Sequence, residues 1–140
     1  MKTVYITRRE HFNAAHKLWN DDWSEEKNVE VFGKCANKNW HGHNFNLFVT
    51  VKGEVNPATG FVVDLKELSN IIKNEVIEEI DHRNINLDVP FMQGKMASTE
   101  NIAIGIWEIL APLIRELGAN LHCIKLCETE NNYVEYFGEN

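Results

Sequence analysis

The sequence predicts an α+β fold, an antiparallel four-stranded sheet with two helices on one face. Three observations carry that prediction. Alternation of period two runs through 4–16 and again through 41–51. Apolar residues then recur at helical spacing through 65–80 and 102–117. A last hairpin pattern closes the chain at 121–137, after the helices rather than between them, which favours an antiparallel sheet over alternating βαβ units. There is no internal repeat, linker or low-complexity tract, so residues 1–140 are expected to form one domain.

The elements follow in order. Val4, Ile6, Phe12, Ala14 and His16 share one parity, and Arg8 and Glu10 interrupt that apolar face, as a bulge or an oligomer surface would. Residues 18–34 are polar and irregular; Ser24 can cap a short helix through Val31, with Gly33 suited to its end. From His41 the odd positions read His, His, Phe, Leu, Val, Val, a strand with one face packed inward. Asn56-Pro57-Ala58-Thr59-Gly60 is a turn, and Phe61-Val62-Val63 is expected to return from it as a short strand. Asp64 reads as an N-cap with Glu67 completing a capping box. The helix it starts ends near Asp81-His82-Arg83-Asn84. Residues 87–97 are loop-like. Ser98 or Thr99 starts a second helix that Pro112 should kink and Gly118 should end. Leu121–Thr129 is expected to be a strand whose even face holds His122, Ile124, Leu126 and Glu128. Asn131-Asn132 turns the chain into a final strand, 133–137.

His41 and His43 head the inward face of their strand and point the same way. Two imidazoles side by side at the edge of a core suit a metal ion, and zinc needs a third protein ligand plus, for catalysis, an open position. Cys35 could supply it. So could a distant residue, and His16 is the natural one if the first strand pairs with the His41–Val51 strand. Asp81 beside His82 can form a relay in which the carboxylate fixes the imidazole tautomer and raises its basicity. Glu128, facing the same way as Leu126 and Ile124, predicts an unusual inward carboxylate.

Bulk properties exclude other classes. The formal net charge is -7 and there is no basic run, so nucleic acid has no electrostatic footprint here. Three widely spaced cysteines are not a disulfide framework. No apolar stretch reaches the length of a membrane span, and strand pattern begins almost at Met1. The expectation is a soluble, cytoplasmic protein without signal peptide or membrane contact.

The fragments Phe12-Asn13-Ala14-Ala15-His16, Phe32-Gly33-Lys34-Cys35, His41-Gly42-His43-Asn44, Asp81-His82, Ser98-Thr99-Glu100-Asn101 and Cys127-Glu128-Thr129 stand in a specific order and spacing. Together they make the chain resemble the 6-pyruvoyltetrahydropterin synthase and 6-carboxytetrahydropterin synthase family over nearly its whole length. The resemblance implies a tetrahydropterin-synthase fold (T-fold), in which trimers close a 12-stranded barrel, two trimers stack into a homo-hexamer and active sites lie between subunits. It implies Zn2+ bound by His16, His41 and His43, Cys35 as the catalytic thiol rather than a ligand, Asp81 and His82 as its partner pair, and Glu128 as the anchor of the pterin ring. Thr99 and Glu100 match the pocket region. Asn13 departs from the more usual Ser of the first motif, outside the ligand set.

The family substrate is 7,8-dihydroneopterin triphosphate. Five residues separate Cys35 from His41, and with Asn28 and Phe32-Gly33-Lys34-Cys35 this resembles the branch that forms 6-pyruvoyltetrahydropterin and releases triphosphate. The other branch releases acetaldehyde and leaves 6-carboxytetrahydropterin, towards queuosine. A zinc-stabilised, non-catalytic pterin-binding subunit is a third reading, and a dihydroneopterin aldolase or epimerase side activity a fourth. Lys34, Lys38, Arg8, Arg9 and Arg83 are the candidate triphosphate cations. Cys123, Cys127, His11 and His122 are expected to be structural or solvent-facing.

Overall fold

Two long strands, β1 (Thr3–His16) and β2 (His41–Glu54), form the spine of the computed structural model, which describes residues 2–37 and 40–140. They pair antiparallel in unbroken register from Thr3–Glu54 to His16–His41. Arg8 and Glu10 therefore cause no bulge. Glu10 is buried on the core side, where its carboxylate accepts bonds from Ser69 Oγ at 2.9 Å and Arg8 Nε at 2.8 Å. A buried charge is tolerable when it is paired and hydrogen-bonded in this way.

The sheet is five-stranded and mixed, ordered β3-β1-β2-β4-β5, which corrects the four-stranded antiparallel expectation. The added strand, β3 (Arg83–Asn84), runs parallel to β1 at Ala14 and Ala15. Two residues are too few to leave a periodic signature. Phe61–Val63 is a bend rather than a strand. β2 already has β1 and β4 on its two sides, and Asp64 starts the next helix at once, so no ladder position is open to it.

Helix α1 (Glu25–Phe32) is capped by Ser24, which accepts from Lys27 N–H. Asp64 caps α2 (Leu65–Ile72) by accepting from Lys66 N–H. The helical run continues through a π turn at Lys73–Ile77 to Glu78–Ile80, and stops where Asp81 becomes extended. A single turn, α3 (Ile85–Asp88), overlaps the start of the segment 87–97 expected as loop; Asn84 caps it by accepting from Asn86 and Leu87 N–H. Ser98 caps α4 (Thr99–Glu116), which runs on through Pro112. Gly118 ends it at φ 89°, with Gly118 N–H bonded to Arg115 O and Ala119 N–H to Ile114 O. That pair of bonds is a Schellman motif, and only the left-handed residue makes it possible.

Helices α2 and α4 cover one face of the sheet. Phe12, Phe45, Leu47, Leu68, Ile72, Ile102, Ile106 and Leu110 are fully buried between the layers. Burying each such side chain contributes roughly 1.5–3 kcal/mol, so this layer contact holds β1 and β2 in place. The opposite face is mostly polar, bearing Thr7 bonded to Thr50 and Arg9 bonded to Asn46. β4 (Asn120–Cys127) is bulged against Thr50 and Val51, so His122 leaves the face of Ile124 and meets the Tyr5 and Phe137 rings instead. Thr129 Oγ1 accepts from the N–H groups of Asn131 and Asn132, turning the chain into β5 (Tyr133–Tyr136).

Candidate metal centre

Register decides the site. His16, the last residue of β1, faces His41, the first of β2, and His43 lies opposite Ala14. All three imidazoles therefore project from one end of the same sheet face. The ring centroids of His16 and His41 are 4.5 Å apart, those of His41 and His43 4.8 Å, and those of His16 and His43 5.2 Å. Phe45 closes the base of the cluster, 5.7 Å from both His16 and His43.

The donor chemistry follows from what each ring nitrogen touches. His16 Nδ1 lies 2.7 Å from the carbonyl oxygen of Ala97. A carbonyl only accepts, so Nδ1 carries the proton and Nε2 keeps its lone pair. That Nε2, His41 Nδ1 and His43 Nε2 are buried and make no hydrogen bond. Three orphaned nitrogens in one cluster would be costly in a purely structural site. They fit a cation. Burial lowers the pKa of His16 from 6.5 despite the Ala97 bond, and burial followed by the neighbouring His16 and His43 lowers that of His41. Both rings are therefore neutral at pH 7, the form a metal requires.

Glu128, one residue past β4, completes the group: one ligand atom from each of His16, His41, His43 and Glu128 lies within 4.8 Å of the others. Its Oε1 is 3.2 Å from His43 Nε2, at an angle outside hydrogen-bonding geometry, and its Oε2 accepts from Thr99 Oγ1. Thr99 is buried at the start of α4, so the helix holds the carboxylate in place. Glu100, beside it, is exposed.

The other expected residues lie outside this group. Cys35, half-buried on the 3-10 turn Gly33–Ala36, is outside it. Its carbonyl accepts from Leu18 N–H at 2.6 Å, tying the turn to the segment after β1. Asp81 and His82 form the pair foreseen, with His82 Nδ1 3.0 Å from Asp81 Oδ2. Asp81 Oδ1 accepts from Asn13 N–H at 2.9 Å, and His82 N–H donates to Asn13 O at 2.6 Å. Burial raises the Asp81 pKa, but the bonds from Asn13 and His82 together with the His82 charge outweigh it and hold it below 3.8. The His82 side chain is 76% exposed at a φ of 59°, standing out from the chain.

Two clefts of about 610 Å³ meet at His43. One runs to His82, Arg83 and Asp88, the other to Glu128, Arg9 and Asn46. Of the candidate cations, Arg9 and Arg83 line these clefts, Arg8 is engaged by Glu10, Lys34 lines a separate hollow, and Lys38 lies outside the described residues. One contributor was not foreseen. The Ala97 carbonyl leaves no trace in sequence, because every residue has one. Asn28, fully buried, bonds the backbone of Asn20, Trp23 and Ser24 and shapes the loop before α1.

Three strand-borne imidazoles and a helix-held carboxylate at the end of a mixed sheet make a group that could hold a metal ion, on a T-fold. Residues 5–139 match the family described as 6-pyruvoyl tetrahydropterin synthase. The chain is 42% identical over 138 residues to the 6-pyruvoyl tetrahydrobiopterin synthase of Dictyostelium discoideum, covering 99% of this chain and 98% of that one. It is 41% identical over 134 residues to that of Homo sapiens, with 96% and 91% covered. The structure of Caenorhabditis elegans 6-pyruvoyl tetrahydropterin synthase superposes with a TM-score of 0.92 at 37% identity, covering 99% of this chain and 98% of that one. The chain belongs to the 6-pyruvoyl tetrahydropterin synthase family.

Proposed function

We propose that this protein is a zinc-dependent carbon–oxygen lyase that converts 7,8-dihydroneopterin triphosphate to 6-pyruvoyltetrahydropterin with release of triphosphate. The observation that carries the reading is the convergence of three orphaned imidazole nitrogens with Glu128, in a chain whose full-length relatives bear that enzyme's name. Zinc suits three neutral nitrogen donors with a position left for substrate. When bound, it would polarise the side-chain oxygens of the substrate and acidify the adjacent C–H bonds.

The chain's own groups divide the remaining work. Cys35, outside the ligand group, serves as the base that takes a side-chain proton in its thiolate form. His82, oriented by Asp81, carries protons to and from the substrate and favours the thiolate when charged. Glu128 accepts from the amino and ring N–H groups of the pterin, with Thr99 fixing its direction. Its place 3.2 Å from His43 Nε2 also supports a second role, fourth ligand in the substrate-free state. Arg9 and Arg83 supply positive charge in the two clefts for the triphosphate. Proton shifts and elimination suffice, with no redox cofactor.

Assembly belongs to the same proposal. Among the described residues no strand pairs with β1 from Thr3 to Asn13 on its outer side, or with the outer side of β5. Two free edges on one sheet are what a closed ring of subunits consumes, in line with a trimeric barrel and a hexamer working in the cytoplasm.

The test is product analysis by mass spectrometry after anaerobic incubation of zinc-loaded protein with 7,8-dihydroneopterin triphosphate. Triphosphate with a three-carbon 6-pyruvoyl product is the expected result. Acetaldehyde with a 6-carboxy product would transfer the enzyme to the other branch. A chain cleaved as by an aldolase is a third distinguishable outcome; Pyrococcus furiosus dihydroneopterin monophosphate aldolase is 35% identical over 105 residues, covering 74% of this chain. No consumption of substrate by folded, metal-loaded protein would leave a binding subunit.

A further inference from the structure

His16 and His41 are the last paired positions of β1 and β2, and the next residue outward on each is Lys17 and Trp40. The Lys17 ammonium lies 4.4 Å from the Trp40 ring centroid and 5.1 Å from that of Trp19. One side chain pins its backbone from both sides: Lys17 N–H donates to Asn86 Oδ1 at 3.0 Å, and Lys17 O accepts from Asn86 Nδ2 at 3.1 Å. Trp40 holds a φ of 65°, and its N–H donates to Asn37 O at 3.1 Å. A bulky residue in the left-handed region is an outlier that persists only when its surroundings hold it there.

His41 needs that support more than the other two imidazoles. The Ala97 carbonyl orients His16, and His43 rests against Glu128. Among the described residues nothing hydrogen-bonds to the His41 ring. Its direction is therefore set by how the backbone enters β2, which is the left-handed conformation of Trp40.

We infer that Lys17 is a positioning residue for the metal centre: its ammonium, held between Trp19 and Trp40, locks Trp40 in the left-handed conformation that aims His41 at the point shared with His16 and His43. The inference rests on the metal reading proposed above. A cation against two aromatic faces gives a directional contact. It acts on the one imidazole of the three that has neither a hydrogen bond nor a carboxylate contact of its own.

Titration of metal-free protein with Co2+, followed by its visible absorption bands, tests this without reference to turnover. Lys17→Met keeps the stem and removes the charge. It is expected to weaken Co2+ binding roughly tenfold and to alter the bands, as losing a ligand-orienting partner does, while the metal-free protein melts as wild type does. Lys17→Arg keeps a cation over the rings and should restore wild-type binding. Trp40→Gly relieves the backbone conformation yet should weaken Co2+ as Lys17→Met does. Wild-type affinity and bands in Lys17→Met would overturn the inference, as would a loss that Lys17→Arg does not rescue. A matching fall in the melting temperature of metal-free Lys17→Met would also overturn it, by making the residue merely structural. Wild-type protein that binds no Co2+ would reject the metal reading itself, a result distinct from the other three.

Discussion

Each side chain at the centre has a separable job, and single substitutions should separate them. Cys35 lies outside the four-residue group that could hold a metal ion, so Cys35→Ala is expected to lower turnover by at least about 100-fold while metal content stays stoichiometric by atomic emission. Metal lost with the thiol would make Cys35 a ligand. Glu128→Gln keeps the shape but not the charge; raised KM with full metal content would identify the pterin anchor, and metal loss would identify a fourth ligand. Asp81 permits a pH prediction. Its folded pKa lies below the ordinary value of 3.8 because of the bonds from Asn13 and His82. Its stabilisation is therefore complete above that pH and is lost as pH falls through the folded value. Asp81→Asn should cost about 1 kcal/mol at pH 7, a charged hydrogen bond discounted for solvent exposure. The difference from wild type in urea melts should narrow below about pH 3.8.

At the scale of elements, the site depends on helix α4 as much as on the strands. The helix starts at Thr99, which holds Glu128, directly after Ala97, which fixes the His16 tautomer, and its buried stripe packs on the sheet below. Ile106, fully buried in mid-helix, is therefore a lever on the whole site. Ile106→Ala is expected to cost roughly 2–5 kcal/mol in denaturant unfolding; a loss under 1 kcal/mol would mean the layer contact is not what fixes the helix. Elements of this size were legible in the sequence. β1, β2, α2 and α4 carry many residues of one period and a capping residue, so pattern and chemistry agree. The histidine cluster was legible because parity placed His41 and His43 on one face, and only the pairing of β1 with β2 was needed to bring in His16. What escaped was short or non-local. β3 is two residues, the bulge that turns His122 is a property of the β2–β4 register, and Phe61–Val63 loses its strand to competition for β2 edges. Backbone carbonyls such as that of Ala97, and the φ of Trp40, have no sequence signature at all.

For the whole molecule the sheet itself makes the last prediction. A five-stranded sheet with helices on one face leaves the other face to be accounted for, and here that face is mostly polar, with Arg9, Asn46, Thr7 and Thr50 bonded across strands. Such a face does not demand the apolar burial that drives two sheets to stack. The free edges of β1 and β5 are the unsatisfied feature: from Thr3 to Phe12 alternate residues of β1 turn backbone groups outward with no strand beside them among the described residues. Pairing β5 of one subunit with β1 of the next satisfies both edges, and repeating the step closes a ring with the polar faces inside. That ring would carry the β4–β5 side, with Glu128 close by, towards the neighbour's β1–β3 edge, where Asp81 holds the exposed His82. Sedimentation equilibrium is expected to give three or six times the monomer mass, unchanged on dilution into the nanomolar range. A monomer at micromolar concentration would refute ring closure. Such a monomer with full turnover would further show that His82 serves the metal centre of its own chain.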